Sequence, residues 1–263
     1  MMIQNSIEIN GIKMNYVCFG KGTQPMVIIP GLSLVPVLIF ADFIAEAYSV
    51  FEDGFTTYLF ERRENMPEVY NIQNMARDTA EVMKTLGLSD TCLFGTSQGG
   101  MIAQSIAIDY PELVKKLALG STVSCIPDIY TEPAMGKWLR LAEEGRISEL
   151  NLSLSEDVYS EEYFGKNKRG ILAMEKMITQ RDVERFITLS HGSDGVDLSG
   201  DLSRIKCPAL LMGSEKDKVF SVDRMKKTVE GMGCASYFYK DYSHAVYDET
   251  QDFKERLLAF FND

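Results

Sequence analysis

A serine lies at the centre of the run Gly-Thr-Ser-Gln-Gly at residues 95–99. The pattern Gly-x-Ser-x-Gly is typical of a serine lifted out of a sharp turn between a strand and a helix, where neighbours two positions away must be small. Residues 91–94 before it predict a strand, and residues 98–109 after it predict a helix. This context favours Ser97 as a nucleophile over a turn that merely needs small residues.

The same stretch has the Gly-x4-Gly spacing of a phosphate-binding loop, from Gly95 to Gly100. Such a loop continues with lysine and then serine or threonine, because the lysine reaches the phosphates and the hydroxyl binds the accompanying Mg²⁺. Met101 and Ile102 occupy those two positions here. The phosphate-binding alternative therefore fails.

A serine hydroxyl is a weak nucleophile and needs a base. The chain has two histidines. His244 follows the last predicted strand and precedes the final predicted helix, which places it at the C-terminal edge of the sheet. His191 ends a predicted helix before Gly192, a position typical of a solvated histidine. We therefore predict His244 as the base.

The base needs a carboxylate that fixes its tautomer and stabilises its cation. Asp217 follows a predicted strand and a Gly-Ser turn, and Glu215 lies close enough to substitute for it. The tetrahedral oxyanion needs two backbone N–H donors. We expect one from Gln98, directly after the nucleophile, and the other from Leu32 in the loop after residues 26–29.

Strand and helix patterns alternate along most of the chain, which predicts βαβ units and a mainly parallel sheet. A hairpin is expected around the Asn10-Gly11 turn. From about residue 126 to residue 204 the pattern predicts helices without strands. We expect an α/β core at residues 1–125 and 205–263, with a helical lid at 126–204 over the C-terminal ends of the strands, where ligands bind in open α/β sheets.

The net charge of −11 argues against a nucleic-acid partner and against an anionic membrane surface. We expect a small-molecule substrate and a monomer or homodimer. The five cysteines form no CxxC pair, and the two histidines form no metal-binding motif, so neither a disulfide framework nor a metal is predicted. Residues 1–10 lack a signal-peptide pattern, and free thiols fit a reducing compartment, so a cytoplasmic location is expected.

These residues together resemble the α/β-hydrolase superfamily, in particular its lidded branch of esterases, enol-lactonases and carbon–carbon bond hydrolases. The chain order Ser97, Asp217, His244 is that of the family, and its pattern favours Asp217 over Glu215. The resemblance implies an eight-stranded sheet, no cofactor, and a helical cap inserted after the sixth strand. Two segments depart from it. Pro30-Gly31 stands where many members have His-Gly, and residues 61–64, Glu-Arg-Arg-Glu, replace the usual Asp-x-Arg-Gly.

The predicted lid is rich in aromatic residues and methionine. Trp138, Phe164 and Met177 are candidates for an apolar substrate pocket, although packing of helices on the sheet is the commoner role of such residues. Arg181 and Arg185 could meet a substrate carboxylate, but the sequence favours a solvated helix face for both.

The predicted function is hydrolysis of a small carboxylic ester or lactone through an acyl-enzyme. The same triad also serves carbon–carbon bond hydrolysis and acyl transfer, and the residues do not separate these reactions. A non-catalytic ligand receptor is the alternative of a different class, and the complete triad argues against it.

Overall fold

The computed structural model describes residues 4–263, so the first three residues of the predicted core range 1–125 lie outside it. Eight strands form one sheet in the order β1-β2-β4-β3-β5-β6-β9-β10. Among them only β2 runs against the others. The strands are β1 Gln4–Ile9, β2 Ile12–Phe19, β3 Gln24–Ile29, β4 Phe55–Phe60, β5 Thr91–Thr96, β6 Val114–Gly120, β9 Ala209–Ser214 and β10 Ala235–Tyr239.

Ten α-helices flank this sheet or follow its sixth strand in the described part of the chain. They are α1 Ala41–Ala47, α2 Ile72–Thr85, α3 Gln98–Asp109, α4 Pro133–Glu143, α5 Ile147–Val158, α6 Glu161–Ala173, α7 Gln180–His191, α8 Val222–Met232, α9 Val246–Glu249 and α10 Gln251–Asn262. The predicted α/β-hydrolase fold, with its mostly parallel eight-stranded sheet, is confirmed.

The hairpin between β1 and β2 turns at the predicted pair. Asn10 and Gly11 both have positive φ, 50° and 76°. Two successive positive φ angles define the hairpin turn whose twist matches that of the paired strands, and asparagine followed by glycine adopts it at low cost.

The sheet core is apolar because its central strands are covered on both faces. Every residue of β5 is buried, and so is every residue of α3, which follows it, except Asp109 at its end. Buried parallel strands read as continuous apolar runs, which is why the sequence revealed them. Residues of α2 and α3 belong to the hydrophobic core on one face of the sheet. Residues of α1 and α10 belong to the core on the other face.

Helices α4–α7 form the insertion between β6 and β9, as predicted. The expectation that residues 126–204 contain no strand is wrong. Two short strands, β7 Cys125–Ile126 and β8 Val196–Asp197, pair antiparallel and bring the two ends of the insertion together. A two-residue strand is too short to show an alternating pattern in sequence.

Within residues 4–263, no helix is long and apolar enough to cross a membrane. The C-terminal ends of the parallel strands lie along one edge of the sheet. Ser97 follows β5, Asp217 follows β9, and His244 follows β10. The topology therefore brings the three predicted triad residues to the same edge.

Candidate active site

Ser97 occupies a strained backbone conformation between β5 and α3, with φ 51° and ψ −121°. Few residues other than glycine adopt positive φ, and those that do often lie at functional sites. Hydrogen bonds hold this turn. The Ser97 N–H donates to the Gly120 carbonyl at 2.8 Å, and the Ser97 carbonyl accepts from the Thr122 hydroxyl at 2.6 Å.

The glycines around Ser97 are required by close backbone contacts. A Cβ at Gly99 would lie 2.1 Å from the Ile29 carbonyl oxygen, and one at Gly95 would lie 2.4 Å from the Gly99 oxygen. A Cβ at Gly31 would lie 3.1 Å from that of Ser97. The loop after β3 therefore packs directly against the predicted nucleophile.

Asp217 and His244 form a buried pair. Asp217 Oδ2 lies 2.8 Å from His244 Nδ1, and the exposed fractions of the two side chains are 0% and 4%. The other carboxylate oxygen, Oδ1, accepts the N–H groups of Val219 at 2.8 Å and Phe220 at 2.9 Å. The carboxylate is therefore fixed by the backbone, and its free oxygen faces the imidazole.

Aromatic rings enclose the imidazole of His244. The Phe220 ring meets it edge-on at 5.5 Å between centroids, and the Tyr247 ring does so at 6.5 Å. Such packing restricts rotation of the imidazole and limits water around it. The contact with Asp217 then selects the orientation of the imidazole.

Gly31 contacts Ser97, and the predicted oxyanion donors, Leu32 and Gln98, are the residues that directly follow these two. Neither the Leu32 nor the Gln98 backbone N–H has an acceptor among residues 4–263. The Gln98 side chain is buried, and its Nε2 donates to the Leu189 carbonyl at 2.6 Å and to the Ser193 hydroxyl at 2.9 Å. The residue after Ser97 is thus tied to the end of α7.

The second histidine lies elsewhere. His191 is 45% exposed at the end of α7, and its Nε2 lies 3.3 Å from Glu143 Oε1. Glu215, the alternative carboxylate, is also exposed. The structure pairs His244 with Asp217 and places neither His191 nor Glu215 in that contact.

The three candidate pocket residues lie in different environments of the insertion. Trp138 is buried, and its indole N–H donates to Asp157 at 2.9 Å, so packing already accounts for it. Phe164 is 8% exposed, whereas Met177 is 50% exposed. A role for any of them in substrate binding stays a prediction.

A buried charged cluster is the feature that the sequence interpretation missed. Arg185 of α7 forms an ion pair with Glu61, and the exposed fractions of their side chains are 12% and 8%. The solvated position expected for Arg185 is therefore wrong, whereas Arg181 is exposed as expected. Phe186, the next residue, is fully buried, but no residue near Arg185 in sequence identifies Glu61 as its partner.

Arg62 completes this cluster. Its side chain donates to the Pro30 carbonyl at 2.7 Å, and burial lowers the pKa of its guanidinium to about 10. Glu61 Oε2 accepts the Leu38 N–H at 3.4 Å. The segment that departs from the usual Asp-x-Arg-Gly pattern thus supports the loop at residues 30–38. In residues 4–263 no cluster of three or more histidine, cysteine or acidic side chains is placed to hold a metal ion.

Comparisons with known proteins agree with this architecture. Residues 24–250 match the family model described as alpha/beta hydrolase fold. The chain is similar to the human protein named serine hydrolase BPHL, with 23% identity over 237 residues that cover 86% of this chain and 75% of that protein.

Solved structures show the same fold at low sequence identity. The alpha/beta hydrolase enzyme MGS-M2, from a Medee basin deep-sea metagenome library, superposes with a TM-score of 0.86 at 19% identity and 98% coverage of both chains. The enol-lactonase from Burkholderia xenovorans LB400 gives 0.85 at 16% identity, with 98% of this chain and 100% of that chain covered.

Proposed function

Because the chain belongs to the alpha/beta hydrolase family, we propose that it is a serine hydrolase that cleaves a small carboxylic ester or lactone through an acyl-enzyme. The observation that carries the proposal is the 2.8 Å contact between Asp217 and His244, formed at the sheet edge where Ser97 is held in its strained turn. The similarity to proteins named serine hydrolase and enol-lactonase supports the same reaction class.

In the proposed mechanism, Ser97 Oγ attacks the substrate carbonyl while His244 Nε2 accepts the serine proton. The negative charge moves to the carbonyl oxygen, where the N–H groups of Leu32 and Gln98 stabilise it. Collapse of this intermediate breaks the carbon–oxygen bond, and His244 returns the proton to the leaving alcohol. The acyl group remains on Ser97.

Water resolves the acyl-enzyme by the reverse sequence. His244 takes a proton from the water as the oxygen attacks the acyl carbonyl, and then gives that proton to Ser97 Oγ as the bond to serine breaks. The products are a carboxylic acid and the free enzyme. Asp217 stabilises the imidazolium in both halves of the reaction.

We further propose that residues 126–204 act as a lid over this site, because the side chain of Gln98 binds the end of α7. A cytoplasmic location is also proposed, and the five unpaired cysteines support it.

Turnover of p-nitrophenyl acetate and butyrate, and of a small lactone, tests the proposed function. Ser97→Ala should lower kcat/KM by at least about 10⁴-fold, because the triad acts as a unit. Ser105→Ala is the matched control, since Ser105 is buried on α3, the helix that follows Ser97, and its hydroxyl has no partner in residues 4–263. It should retain turnover.

The outcomes separate the candidate reactions. Wild-type turnover that Ser97→Ala abolishes supports ester or lactone hydrolysis. Turnover that persists in Ser97→Ala contradicts the proposed nucleophile. If the wild type reacts with a fluorophosphonate but hydrolyses none of these substrates, the ester proposal is wrong, and carbon–carbon cleavage or acyl transfer by the same serine is favoured.

A further inference from the structure

Glu61, Arg62 and Arg185 form a buried cluster with one positive charge in excess beside the loop that faces Ser97. We propose that this cluster is a subsite for a carboxylate on the substrate. The inference rests on the proposed function and narrows it. The substrate class would be an ester or lactone whose acyl part carries a second, ionised carboxyl group.

The charge balance is the first argument. Glu61 is the one carboxylate that pairs with Arg185 within residues 4–263, and Arg62 has a carbonyl rather than a carboxylate as its hydrogen-bond partner. The neighbouring Arg63 is compensated separately by Asp78, at 3.0 Å. An uncompensated buried charge is costly, and an anionic ligand would remove that cost.

Unpartnered donors are the second argument. Arg62 Nε and Arg185 Nη1 are buried and donate to no acceptor among residues 4–263. Buried donors nearly always have a partner, so two orphaned guanidinium N–H groups in one cluster call for an explanation. A carboxylate fits them, because each of its two oxygens can accept one charge-assisted N–H bond, one from each guanidinium.

The position of the cluster is the third argument. Arg62 binds the Pro30 carbonyl, and the next residue, Gly31, packs against Ser97. Arg185 lies one turn of α7 before Leu189, roughly 6 Å along the helix axis. Leu189 is the residue whose carbonyl binds the Gln98 side chain. Both guanidinium groups therefore lie on segments that border the proposed oxyanion donors.

The surroundings make this positive charge distinctive. The chain as a whole carries a net charge of −11, which disfavours anionic ligands at most of its surface. Arg185 keeps 12% of its side chain exposed, whereas Arg62 is 4% exposed. We therefore expect Arg185, on the lid side, to meet the ligand first. Arg62 holds the loop through Nη2 and offers its Nε–H to the ligand from beneath.

The test compares p-nitrophenyl butyrate with the p-nitrophenyl half-esters of succinic, glutaric and adipic acids. Arg185→Gln should lower kcat/KM for the preferred half-ester by about 10- to 100-fold, mainly through KM, because it removes a charge-assisted contact. The neutral ester should lose less activity, and the readout is the ratio of the two kcat/KM values, because loss of the Glu61 ion pair affects both substrates. Arg181→Gln, an exposed arginine one turn earlier on the same helix, is the matched control and should leave the preference unchanged.

Two further variants guard against loss of folding. Arg185→Gln leaves Glu61 without its ion-pair partner. The double variant Glu61→Gln/Arg185→Gln should therefore fold at least as well as Arg185→Gln and should still lack the preference for half-esters. Glu61→Gln alone raises the local charge and should keep or strengthen the half-ester preference. Melting temperatures measured with and without glutarate give a readout that needs no turnover.

The results distinguish failure of the subsite proposal from failure of the serine hydrolase proposal. A glutarate-dependent rise in melting temperature that Arg185→Gln abolishes supports the subsite even if no ester is hydrolysed, and in that case only the proposed function fails. If both kinds of ester are hydrolysed with the same preference in the wild type and in Arg185→Gln, the subsite is wrong and the serine hydrolase proposal stands.

Discussion

Asp217 contacts His244 with one carboxylate oxygen while the backbone saturates the other. The Oδ2–Nδ1 distance is 2.8 Å, and two backbone N–H groups bind Oδ1. A carboxylate fixed in this way favours the tautomer in which Nδ1 carries the proton. Nε2 is then left to accept the proton of the proposed nucleophile.

Replacing Asp217 by asparagine should separate orientation from charge. Asp217→Asn keeps the shape of the side chain but can present its amide N–H to Nδ1, which stabilises the wrong tautomer. We expect kcat for an ester to fall by about 10³- to 10⁴-fold with little change in stability. Glu215→Gln neutralises an exposed carboxylate two residues away and should stay within twofold of wild type, as measured by steady-state kinetics.

The two histidines should differ in the same assay. His244→Ala removes the proposed base and should lower kcat by at least about 10³-fold. His191→Ala removes a half-exposed ring whose partner is Glu143, so turnover should remain close to wild type. Equal losses in the two variants, with both still folded by circular dichroism, would contradict the choice of His244.

The glycine at residue 99 should be intolerant of a methyl group. Gly99→Ala would place Cβ 2.1 Å from the Ile29 oxygen and 2.4 Å from that of Pro30. The loop facing Ser97 must move, so we expect a loss of about 1–3 kcal/mol in the free energy of unfolding, together with lower kcat. Urea denaturation measures the first effect.

Gly165→Ala is the matched control for that substitution. Gly165 lies inside α6, and an added Cβ there would have no atom within 4 Å. The change should raise the free energy of unfolding by about 0.5–1 kcal/mol, because glycine costs conformational entropy in a helix. A similar loss of stability in both variants would contradict the steric account of residue 99.

Asp248 gives stability a dependence on pH. Asp248 is exposed as a residue, but partial desolvation of its carboxyl raises the pKa to about 6, and the nearby Lys254 opposes this shift. The folded chain therefore binds this proton more tightly than the unfolded chain, whose aspartate pKa is about 3.9. The contribution of Asp248 to stability should fall as pH rises from about 4 to 6 and stay low above that.

Asp248→Asn should remove the free-energy cost of ionising this carboxyl in the folded protein at neutral pH. Because the residue is exposed, solvent screening reduces the effect, and we expect a gain of about 1 kcal/mol at pH 7 that disappears near pH 4. In Asp241, an interaction with Lys216 lowers the pKa, so Asp241→Asn should show no such gain. Urea denaturation at pH 4, 5, 6 and 7 compares the variants. A gain that does not vary with pH would contradict this titration.

The sequence predicted the elements that carry the candidate site because strong local signals define them. The helix α3 begins and ends at the predicted residues, because the glycine-rich turn at Ser97 precedes it and Pro111 follows it. The sequence predicts a helical stretch from about residue 35 to residue 51. It consists of the seven-residue helix α1 between two 3₁₀ turns, at Val37–Phe40 and Ser49–Phe51.

Long-range pairing accounts for what the sequence did not reveal. An arginine on an amphipathic helix is usually solvated, and nothing near Arg185 in sequence indicates that Glu61, 124 residues away, is its partner. The pairing of β7 with β8, which joins the two ends of the helical insertion, also links residues that are far apart in sequence. Both depend on tertiary contacts that a local pattern does not encode.

The most direct test of the account is covalent labelling with a fluorophosphonate, followed by peptide mass spectrometry. The reagent loses fluoride as an activated serine oxygen bonds to phosphorus, so a labelled peptide identifies the nucleophile. We expect one adduct per chain, on Ser97, that is absent in Ser97→Ala, strongly reduced in His244→Ala and retained in Ser105→Ala. An unlabelled wild-type protein, or an adduct on another residue, would contradict the central claim that Ser97 is a nucleophile activated by His244.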